Sequence, residues 1–471
     1  MAEGRRNLAP LFAPASVAVV GAGERPTSTG GAVLQMLRIS GFAGTIIPVN
    51  PRGGTMFGLP VRRSLAELNT PADVAVIAIR PDLILDAVRE AAASGHRHLV
   101  ILPGGFAEAG EDGRARDKVL RQLIAEHGLT VLGPNSAGII HLGEGRRFAA
   151  TFLRDMPPGP NRNGAAAFIT QSGALGEELI ASAHRLAIPL GTVVSAGNAV
   201  QLGVADYLDH LGDDPGTAAV LLYIESVEDE ARFAAISRRV AAQKPVVALI
   251  GGRTAEGARA ANLHTGAAAF SEDAARAFAA DAALLRVTSL RQLLLAAKGF
   301  GAFPQGIGRR VFLLSNSGGP GVLATDEAAA QGLALPPLPA AMAARLRADL
   351  PAEAAVANPV DLLADAREER FAATLETAIR EGAGAFDAIL GIHVVPFMVD
   401  AAPVIARLAA LAPSVPIPYL HSMMGTLPGK AEWFGAMEQA GVPTFNSVEE
   451  MAECAGLLAR YPALKARAAG N

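Results

Sequence analysis

One histidine in the sequence has surroundings that suit phosphoryl chemistry. His264 lies in residues 251–270, GGRTAEGARAANLHTGAAAF, a run of small residues with two arginines that follows the apolar segment PVVALI. We expect this run to be a loop that leaves space around the imidazole and can bring it to a phosphate. A neutral imidazole is a competent nucleophile toward phosphorus when a carboxylate holds its second ring nitrogen and fixes the tautomer.

Glu225 is the candidate for that carboxylate, because it ends the strand segment AVLLYI, one strand before the histidine. A solvated acid at the end of a strand would give the same pattern. His264 and Glu225 are therefore the candidate catalytic residues, and their geometry has to be checked in the folded chain.

Three glycine-rich turns in the first third of the chain could bind a phosphorylated ligand. The first follows the strand segment SVAVV, and the other two follow HLVIL and TVL. Glycine lets backbone N–H groups approach a phosphate closely, and a helix that starts there adds its positive dipole end. Such turns also serve plain chain reversal. The candidate cofactor-binding residues in the three turns are Gly21, Ala22, Gly23, Arg25, Gly104, Gly105, Asn135 and Ser136.

The end of the second strand indicates which nucleotide would bind. A dinucleotide site usually has Asp or Glu there, which holds the ribose hydroxyls. This chain has Asn50, Pro51 and Arg52 instead. A cation suits a phosphorylated ribose or a pyrophosphate, so the residues favour NADP or coenzyme A over NAD.

A fourth turn opens the second third of the chain. The strand segment AAAFI leads into Ser172, Gly173 and Ala174, which begin a helix. A helix N-terminus after a small polar turn can bind an oxyanion or a phosphoryl group. Ser172 could equally be an ordinary N-cap.

The alternation of short Val/Ile/Ala runs with longer stretches of helical spacing predicts an α/β fold with parallel sheets. Residues 155–164 and 303–308 are rich in proline, glycine and asparagine, which break helices and central strands. The predicted domains are therefore 1–153, 164–301 and 308–471.

Composition narrows the function classes. The 41 basic and 45 acidic residues give a net charge of −4, which argues against nucleic acid as a partner. No uninterrupted apolar stretch of about 18 residues and no secretory signal are found, so we expect a cytoplasmic chain with no membrane partner. The single cysteine, Cys454, excludes an intrachain disulfide and is expected to be a small buried group, and no residues have metal-ligand spacing.

Several segments agree in residues and order with one known family. They are residues 21–31, Val49-Asn50-Pro51, Gly104-Gly105-Phe106-Ala107-Glu108, Gly133-Pro134-Asn135-Ser136, residues 171–176, Gly197-Asn198 and His264-Thr265-Gly266-Ala267. Together they resemble the alpha part of ADP-forming acetyl-CoA synthetases, which are relatives of the succinyl-CoA synthetase alpha subunit.

The resemblance implies a Rossmann-type CoA-binding domain followed by two flavodoxin-like domains. It implies that Arg52 contacts a CoA phosphate, that His264 is phosphorylated and that Glu225 orients it. Ser172, Gly173 and Ala174 would form a phosphate-binding helix terminus. In the third domain, residues 317–321 and 358–361 also resemble the family.

The implied reaction is reversible. Phosphate attacks the thioester of an acyl-CoA, His264 takes the phosphoryl group from the acyl phosphate, and ADP receives it. In reverse, ATP activates a small carboxylic acid. Leu263 and Phe270 stand where the family usually has Ser and Gly, which bears on loop mobility and on the acyl substrate.

The nucleotide step belongs to an ATP-grasp domain, which the 471 residues leave no room for after the third domain. We therefore expect a separate ATP-grasp beta-type subunit, which binds ATP or ADP with Mg²⁺, and a hetero-oligomer. Two other functions are weighed against this one. A CoA- or acyl-CoA-binding protein without catalysis would never carry phosphate on His264, and an NADP-dependent oxidoreductase would leave the histidine motif unexplained.

Overall fold

The computed structural model describes residues 6–143, 146–265, 270–425 and 428–470, without the side chains of residues 146 and 261–265. The chain forms two compact units. Unit 1 comprises Met1–Leu294 with Arg467–Asn471, and unit 2 comprises Leu295–Ala466.

Unit 1 begins with a five-stranded parallel sheet of order β2-β1-β5-β6-β7. Its strands and the short hairpin strands β3 and β4 are β1 (Ser16–Val20), β2 (Thr45–Val49), β3 (Thr55–Met56), β4 (Leu59–Pro60), β5 (Val74–Ile77), β6 (His98–Ile101) and β7 (Thr130–Leu132). The helices of this part are α1 (Ala9–Phe12), α2 (Thr29–Ile39), α3 (Ile84–Ala93) and α4 (Gly110–His127). A parallel bridge from Arg62 to Val49 of β2 continues the sheet beyond β2, which gives the strand order of a Rossmann-type domain.

A second sheet of seven strands follows in unit 1, in the order β14-β13-β12-β10-β11-β8-β9. Its strands are β8 (Gly138–Gly143), β9 (Arg146–Thr151), β10 (Ala165–Thr170), β11 (Leu190–Ser195), β12 (Thr217–Ile224), β13 (Val246–Ile250) and β14 (Leu285–Val287). The helices are α5 (Gly173–Arg185), α6 (Val204–Gly212), α7 (Glu230–Ala241), α8 (Ala255–Thr265), α9 (Glu272–Asp281) and α10 (Leu290–Ala302), within which the chain passes into unit 2. The five parallel strands β10 to β14 have the flavodoxin-like order 2-1-3-4-5.

The sequence pattern did not predict strands β8 and β9 of this sheet. β8 pairs antiparallel with β11 and with β9, so the two strands extend the second sheet although they precede the predicted boundary at residue 153. The chain therefore passes from the first sheet to the second at residues 133–137, and the segment 155–164 lies between two strands of the second sheet.

Unit 2 contains a six-stranded sheet of order β16-β17-β15-β18-β19-β20. Its elements are β15 (Val311–Ser315), α11 (Gly318–Ala330), α12 (Ala340–Asp349), β16 (Ala355–Val356), β17 (Val360–Asp361), α13 (Glu368–Glu381), β18 (Ala388–Val394), α14 (Ala401–Leu411), β19 (Tyr419–Met424), α15 (Lys430–Gln439), β20 (Thr444–Phe445) and α16 (Val448–Ala468). Without the antiparallel edge strand β16, this is again the flavodoxin-like order. The predicted fold class, a Rossmann-type domain followed by two flavodoxin-like domains, is confirmed.

Each sheet reverses its strand order at one point, and ligands of open α/β sheets bind outside the strand ends there. The reversal lies between β1 and β5 in the first sheet, and between β10 and β12 in the second. The turn after β1 contains Gly21, the turn after β10 contains Ser172, and Glu225 follows β12. The topology thus places two groups of candidate residues at two switch points of unit 1.

Candidate functional site

Three neighbouring parallel strands of the second sheet end together and carry the candidate catalytic residues. Thr170 of β10 pairs with Tyr223 of β12, and Ile224 of β12 pairs with Ile250 of β13. The backbone N–H of Gly251 donates to the carbonyl of Ile224 at 2.8 Å. The residues that follow these strands therefore share one edge of the sheet.

Glu225 is buried at this edge, with 6% of its surface exposed. The hydroxyl of Tyr223 donates to Oε1 of Glu225 at 3.0 Å. The side-chain oxygen of Gln171 accepts the backbone N–H groups of Glu225 at 2.6 Å and of Ser226 at 3.2 Å. A solvated strand-end acid does not describe this residue, because its carboxylate and its backbone are both held by neighbours.

The Tyr223 hydroxyl stays protonated and can therefore act as a hydrogen-bond donor to Glu225. Burial, together with the charge of Glu225 and the hydrogen bond to it, raises the pKa of the Tyr223 hydroxyl above its ordinary value. The hydroxyl therefore keeps its proton throughout the physiological pH range and donates to the carboxylate.

The segment that carries His264 is partly helical, which corrects the expectation of a loop across residues 251–270. α8 covers Ala255–Thr265, and Thr254 accepts the backbone N–H of Gly257 at 3.0 Å at its start. Alanine has the highest helix propensity, and this segment is rich in it. His264 is the tenth residue of α8, about 14 Å along the helix axis from its first residue. Its side chain lies outside the described residues, so its pairing with Glu225 stays a prediction.

The N-terminus of α5 follows β10 after a short turn. Ser172 occupies the N-cap position, but its side chain makes no cap hydrogen bond, which distinguishes it from an ordinary serine N-cap. The Thr170 hydroxyl accepts the N–H of Ser172 at 2.9 Å and donates to its carbonyl at 2.9 Å, which fixes the turn. Ser172 and Gly173 are half-buried and Ala174 is exposed. The first N–H groups of a 13-residue helix are thus presented at the sheet edge, where an anion can bind.

The turn after β1 is held by the strand beside it. The N–H groups of Gly21 and Ala22 both donate to the carbonyl of Val49, at 3.0 and 3.2 Å. The side chain of Asn50 donates to the carbonyl of Ala22 at 2.8 Å. The backbone N–H groups of Gly21 and Ala22 therefore shape the turn and are already paired, so backbone donors to a ligand would have to come from Gly23 onward.

Space for this turn depends on the first residues of α2. A Cβ at Gly30 would overlap the carbonyl oxygen of Gly21, so only glycine lets the helix begin against the turn. Arg25 and Arg52 are exposed beside it, as is Pro51. The geometry fits an extended phosphorylated ligand that lies along a cradle of backbone with cations at its rim.

The turn after β6 is organised by Glu108, which the sequence pattern did not single out as a site residue. Its Oε1 accepts the N–H of Gly105 at 2.5 Å and of Phe106 at 3.3 Å, and its other oxygen accepts a hydrogen bond from the Asn198 side chain. Burial acts to raise the pKa of Glu108, but the hydrogen bonds from Asn198 and the backbone outweigh it and lower the pKa. The feature of the sequence that could have identified Glu108 is its position, three residues after the Gly104-Gly105 turn.

The turn after β7 joins the two sheets of unit 1. The Asn135 side chain donates to Oδ1 of Asn198 at 3.2 Å, and the Ser136 hydroxyl donates to the carbonyl of Ser195 at 2.6 Å. Ser136 is buried, with 2% exposure. The Ser136 hydroxyl is therefore buried where the turn after β7 contacts β11 of the second sheet, whereas Asn135 lies at the surface.

A cavity of about 380 Å³ lies where these groups meet, within unit 1. Its wall includes residues of the turns after β6 and β7 and residues that flank Glu225, namely Ala107, Asn135, Gln171, Asn198 and Ser226. The turns after β6 and β7 of the first sheet and the residues next to Glu225 in the second sheet therefore line one cavity.

Unit 2 repeats the turn that precedes α5. Ser315 accepts the N–H of Ser317 at 3.0 Å and donates to its carbonyl at 2.8 Å, as Thr170 does for Ser172. Asn316 holds both backbone groups of Val394 at 2.8 Å, in the way Gln171 holds residues after β12. The fold and the site thus define an α/β protein in which a helix N-terminus without a side-chain cap hydrogen bond lies beside a buried carboxylate.

Comparisons with known proteins agree with this class. Residues 15–142 match the family model of a CoA binding domain, and residues 163–300 match that of a succinyl-CoA ligase like flavodoxin domain. The chain is 32% identical over 451 residues to the alpha subunit of acetate–CoA ligase [ADP-forming] II of Pyrococcus furiosus, covering 94% of this chain and 96% of that one. It is 33% identical to acetate–CoA ligase [ADP-forming] I of Archaeoglobus fulgidus, with 78% of this chain and 52% of that longer protein covered.

A solved structure extends the likeness to the whole chain. It is described as dinucleotide forming acetyl-coenzyme A synthetase 1 of Ca. Korarchaeum cryptofilum in complex with phosphate and ADP. The TM-score is 0.91 at 27% identity, with 98% of both chains covered. This chain belongs to the family of ADP-forming acyl-CoA synthetase alpha subunits. The predicted family, the ligase class and the CoA-binding domain are confirmed.

None of the helices in the described ranges is long and apolar enough to cross a membrane.

Proposed function

We propose that this chain, as the CoA-binding subunit of an ADP-forming acyl-CoA synthetase, carries the phosphoryl group on His264 between an acyl phosphate and ADP. The observation that carries the proposal is the buried Glu225 at a switch point, held by Tyr223 and Gln171 beside the N-terminus of α5. A fixed carboxylate next to an anion-binding helix terminus is what a phosphohistidine needs, for orientation and for charge.

The bonds change in three steps. An oxygen of phosphate attacks the thioester carbon, the C–S bond breaks and CoA leaves as its thiolate. The imidazole nitrogen of His264 then attacks phosphorus, and the bond from phosphorus to the acyl oxygen breaks to release the carboxylate. The phosphoryl group finally passes from nitrogen to the terminal oxygen of ADP. In the opposite direction ATP drives formation of the thioester.

Residues of this chain have separate tasks in the relay. The turns that contain Gly23, Arg25, Arg52 and Gly104 hold CoA and its phosphates. Ser172, Gly173 and Ala174 present helix N–H groups to phosphate and to the phosphoryl group. Glu225 holds the imidazole in the tautomer that leaves its other nitrogen free to attack.

The nucleotide step is assigned to a partner. Relatives of similar length are named alpha subunits, and this chain spans 52% of the longer Archaeoglobus relative. We assign ATP, ADP and Mg²⁺ to an ATP-grasp beta-type subunit in a hetero-oligomer, and a small carboxylic acid to this chain as substrate.

Labelling tests the relay directly. The purified chain is incubated with acetyl-CoA and ³²P-phosphate, and then with an ATP-grasp partner and γ-³²P-ATP. We expect an acid-labile, base-stable label on the wild type that is lost in His264→Ala. CoA binding, measured by calorimetry, should be unchanged in the variant. Intact CoA binding without label in either reaction would contradict the relay and favour a CoA-binding protein without catalysis.

A further inference from the structure

We infer that Tyr223 and Gln171 are positioning residues for the phosphorylation step, which hold the carboxylate and the backbone of Glu225 in the orientation that His264 requires. The inference rests on the proposed function, because it takes Glu225 as the residue that orients His264. Neither residue needs to touch a substrate for this role.

Tyr223 and Glu225 lie two residues apart on one strand end and therefore point to the same side of the sheet. The Tyr223 hydroxyl donates to Oε1 of Glu225 at 3.0 Å, and 6% of Glu225 is exposed. A hydrogen bond to a charged group in a buried setting is among the stronger ones and has a defined direction. It restricts the rotation of the carboxylate about its last bond.

Gln171 holds the backbone on which that carboxylate stands. Its side-chain oxygen accepts the N–H groups of Glu225 and Ser226, and its side-chain nitrogen donates to the carbonyl of Ser226 at 2.9 Å. The side-chain amide of Gln171 thus provides hydrogen-bond partners for three backbone groups just beyond the end of β12. Gln171 also directly precedes Ser172, so it fixes Glu225 relative to the phosphate-binding end of α5.

The segment that leads to His264 begins against the same tyrosine. A Cβ on Gly251 would lie 2.9 Å from the Tyr223 hydroxyl oxygen and 3.6 Å from Cγ of Glu225. Gly251 is the residue after β13, four positions before α8 begins. Tyr223 is therefore packed between Glu225 and the start of the histidine segment.

The CoA turns are made by other residues, so a change at Tyr223 should slow phosphorylation and leave substrate affinity alone. We expect Tyr223→Phe to reduce the rate of ³²P incorporation from acetyl-CoA and ³²P-phosphate by about 10- to 100-fold. The KM for acetyl-CoA should stay within about twofold of the wild-type value.

A matched control exists in unit 2. Tyr419 also contacts a side chain two residues along its strand, since its hydroxyl lies 2.9 Å from Nδ1 of His421. Tyr419→Phe removes the same atom from a buried tyrosine, whereas Tyr223 is half-buried. We expect it to leave the phosphorylation rate unchanged.

A double-mutant cycle separates positioning from stability. In a Glu225→Gln background, Tyr223→Phe should have little further effect, because the carboxylate it positions is already gone. Gln171→Glu keeps the two accepted hydrogen bonds and should retain more activity than Gln171→Leu, which loses all three. Higher activity in Gln171→Glu than in Gln171→Leu would show that the hydrogen bonds of residue 171 matter more than the volume of its side chain.

The outcomes are distinguishable. No label on the wild type would overturn the proposed function itself. A labelled wild type with Tyr223→Phe equally fast, a changed KM for acetyl-CoA, or effects that simply add in the cycle would overturn the positioning role. If Tyr223→Phe does not fold, Gly251→Ala decides, because its methyl group displaces the hydroxyl without removing it and should slow labelling in the same way.

Discussion

At the residue scale, the chemistry of the site depends on polar groups that hold one another before any ligand binds. Glu225 is held by Tyr223 and Gln171, and Glu108 is held by Asn198 and by two backbone N–H groups. Preorganised dipoles of this kind need no rearrangement during the reaction. Substitutions that move a held carboxylate should therefore act more on ligand binding or rate than on the fold.

Gly104 gives a test of this in the CoA-binding turns. A Cβ there would lie 2.7 Å from Oε1 of Glu108 and 3.1 Å from Oδ1 of Asn135. We expect Gly104→Ala to displace both side chains and to weaken CoA binding about 10-fold, measured by calorimetry. Gly435→Ala is the control, because a Cβ on Gly435 would meet no atom of the described residues within 4 Å. Equal CoA affinities for the two variants would contradict the expectation.

At the element scale, the geometry of the turn before the N-terminus of α5 depends on the hydroxyl of one threonine. Thr170 is buried, and its hydroxyl holds both backbone groups of Ser172. We expect Thr170→Val to cost about 1 to 2 kcal/mol of stability and to slow phosphorylation at least about 10-fold, since the turn that presents the helix N–H groups loosens. Unfolding in urea and ³²P incorporation measure the two effects.

Thr374 provides the matched comparison for that substitution. It is buried in unit 2, and its hydroxyl has no hydrogen-bond partner in the described part of the chain. Thr374→Val should leave the rate unchanged and should not destabilise the unit, because no hydrogen bond is lost. A rate loss in both variants would mean that the effect at Thr170 is not local.

Strands β8 and β9 lead to a different expectation about where the first domain can be separated. They follow β7 in the chain, but β8 pairs with β11 of the second sheet and β9 pairs with β8. A fragment of residues 1–153 would carry β8 and β9 without β11, the strand that pairs with β8, whereas residues 1–137 would not carry them. We expect the shorter fragment to be more soluble and to bind CoA at least as well, because an unpaired strand edge promotes association. Soluble yield and calorimetry of both fragments check this.

At the scale of the whole molecule, the stability of unit 2 should depend on pH. Burial lowers the pKa of His393 to about 4, and burial together with His393 lowers the pKa of His421 to about 3. Between pH 6.5 and about 4 the unfolded chain binds protons that the folded unit excludes, so stability is complete above pH 6.5 and falls as the pH decreases through this window. For His393 alone the loss is about 3 kcal/mol.

Replacement of His393 tests that dependence. Neither ring nitrogen of His393 has a hydrogen-bond partner among the residues described, so His393→Leu removes two unsatisfied buried atoms. We expect the variant to be at least as stable at pH 7 and to lose about 3 kcal/mol less between pH 6.5 and 4. Hydrogen exchange of residues 388–394 at several pH values measures this. An unchanged pH dependence would show that other groups control acid unfolding.

The sequence by itself determined the class of fold, the edge of each sheet that carries the turns, and the family. Apolar runs buried on both faces specify parallel strands, and parallel strands must end together, so the residue pattern alone places Gly21, Ser172 and Glu225 at strand ends. The motifs in order were enough to predict the ligase family, because several of them in register resemble one known family.

Only the tertiary structure decided which atoms meet. The pairing of β8 with β11, the hydrogen bond from the Glu225 backbone to Gln171 and the hydrogen bond from Asn198 to Glu108 all join residues from different elements. The burial of Glu225 and the hydrogen bond that it accepts from Tyr223, two residues away, also depend on how the strand ends pack. The helix over Ala255–Thr265 also differs from the loop that the run of small residues predicted, because the high helix propensity of alanine outweighs that pattern. Hydrogen bonds across long sequence separations leave no periodic signal, and they become visible only when the chain has folded.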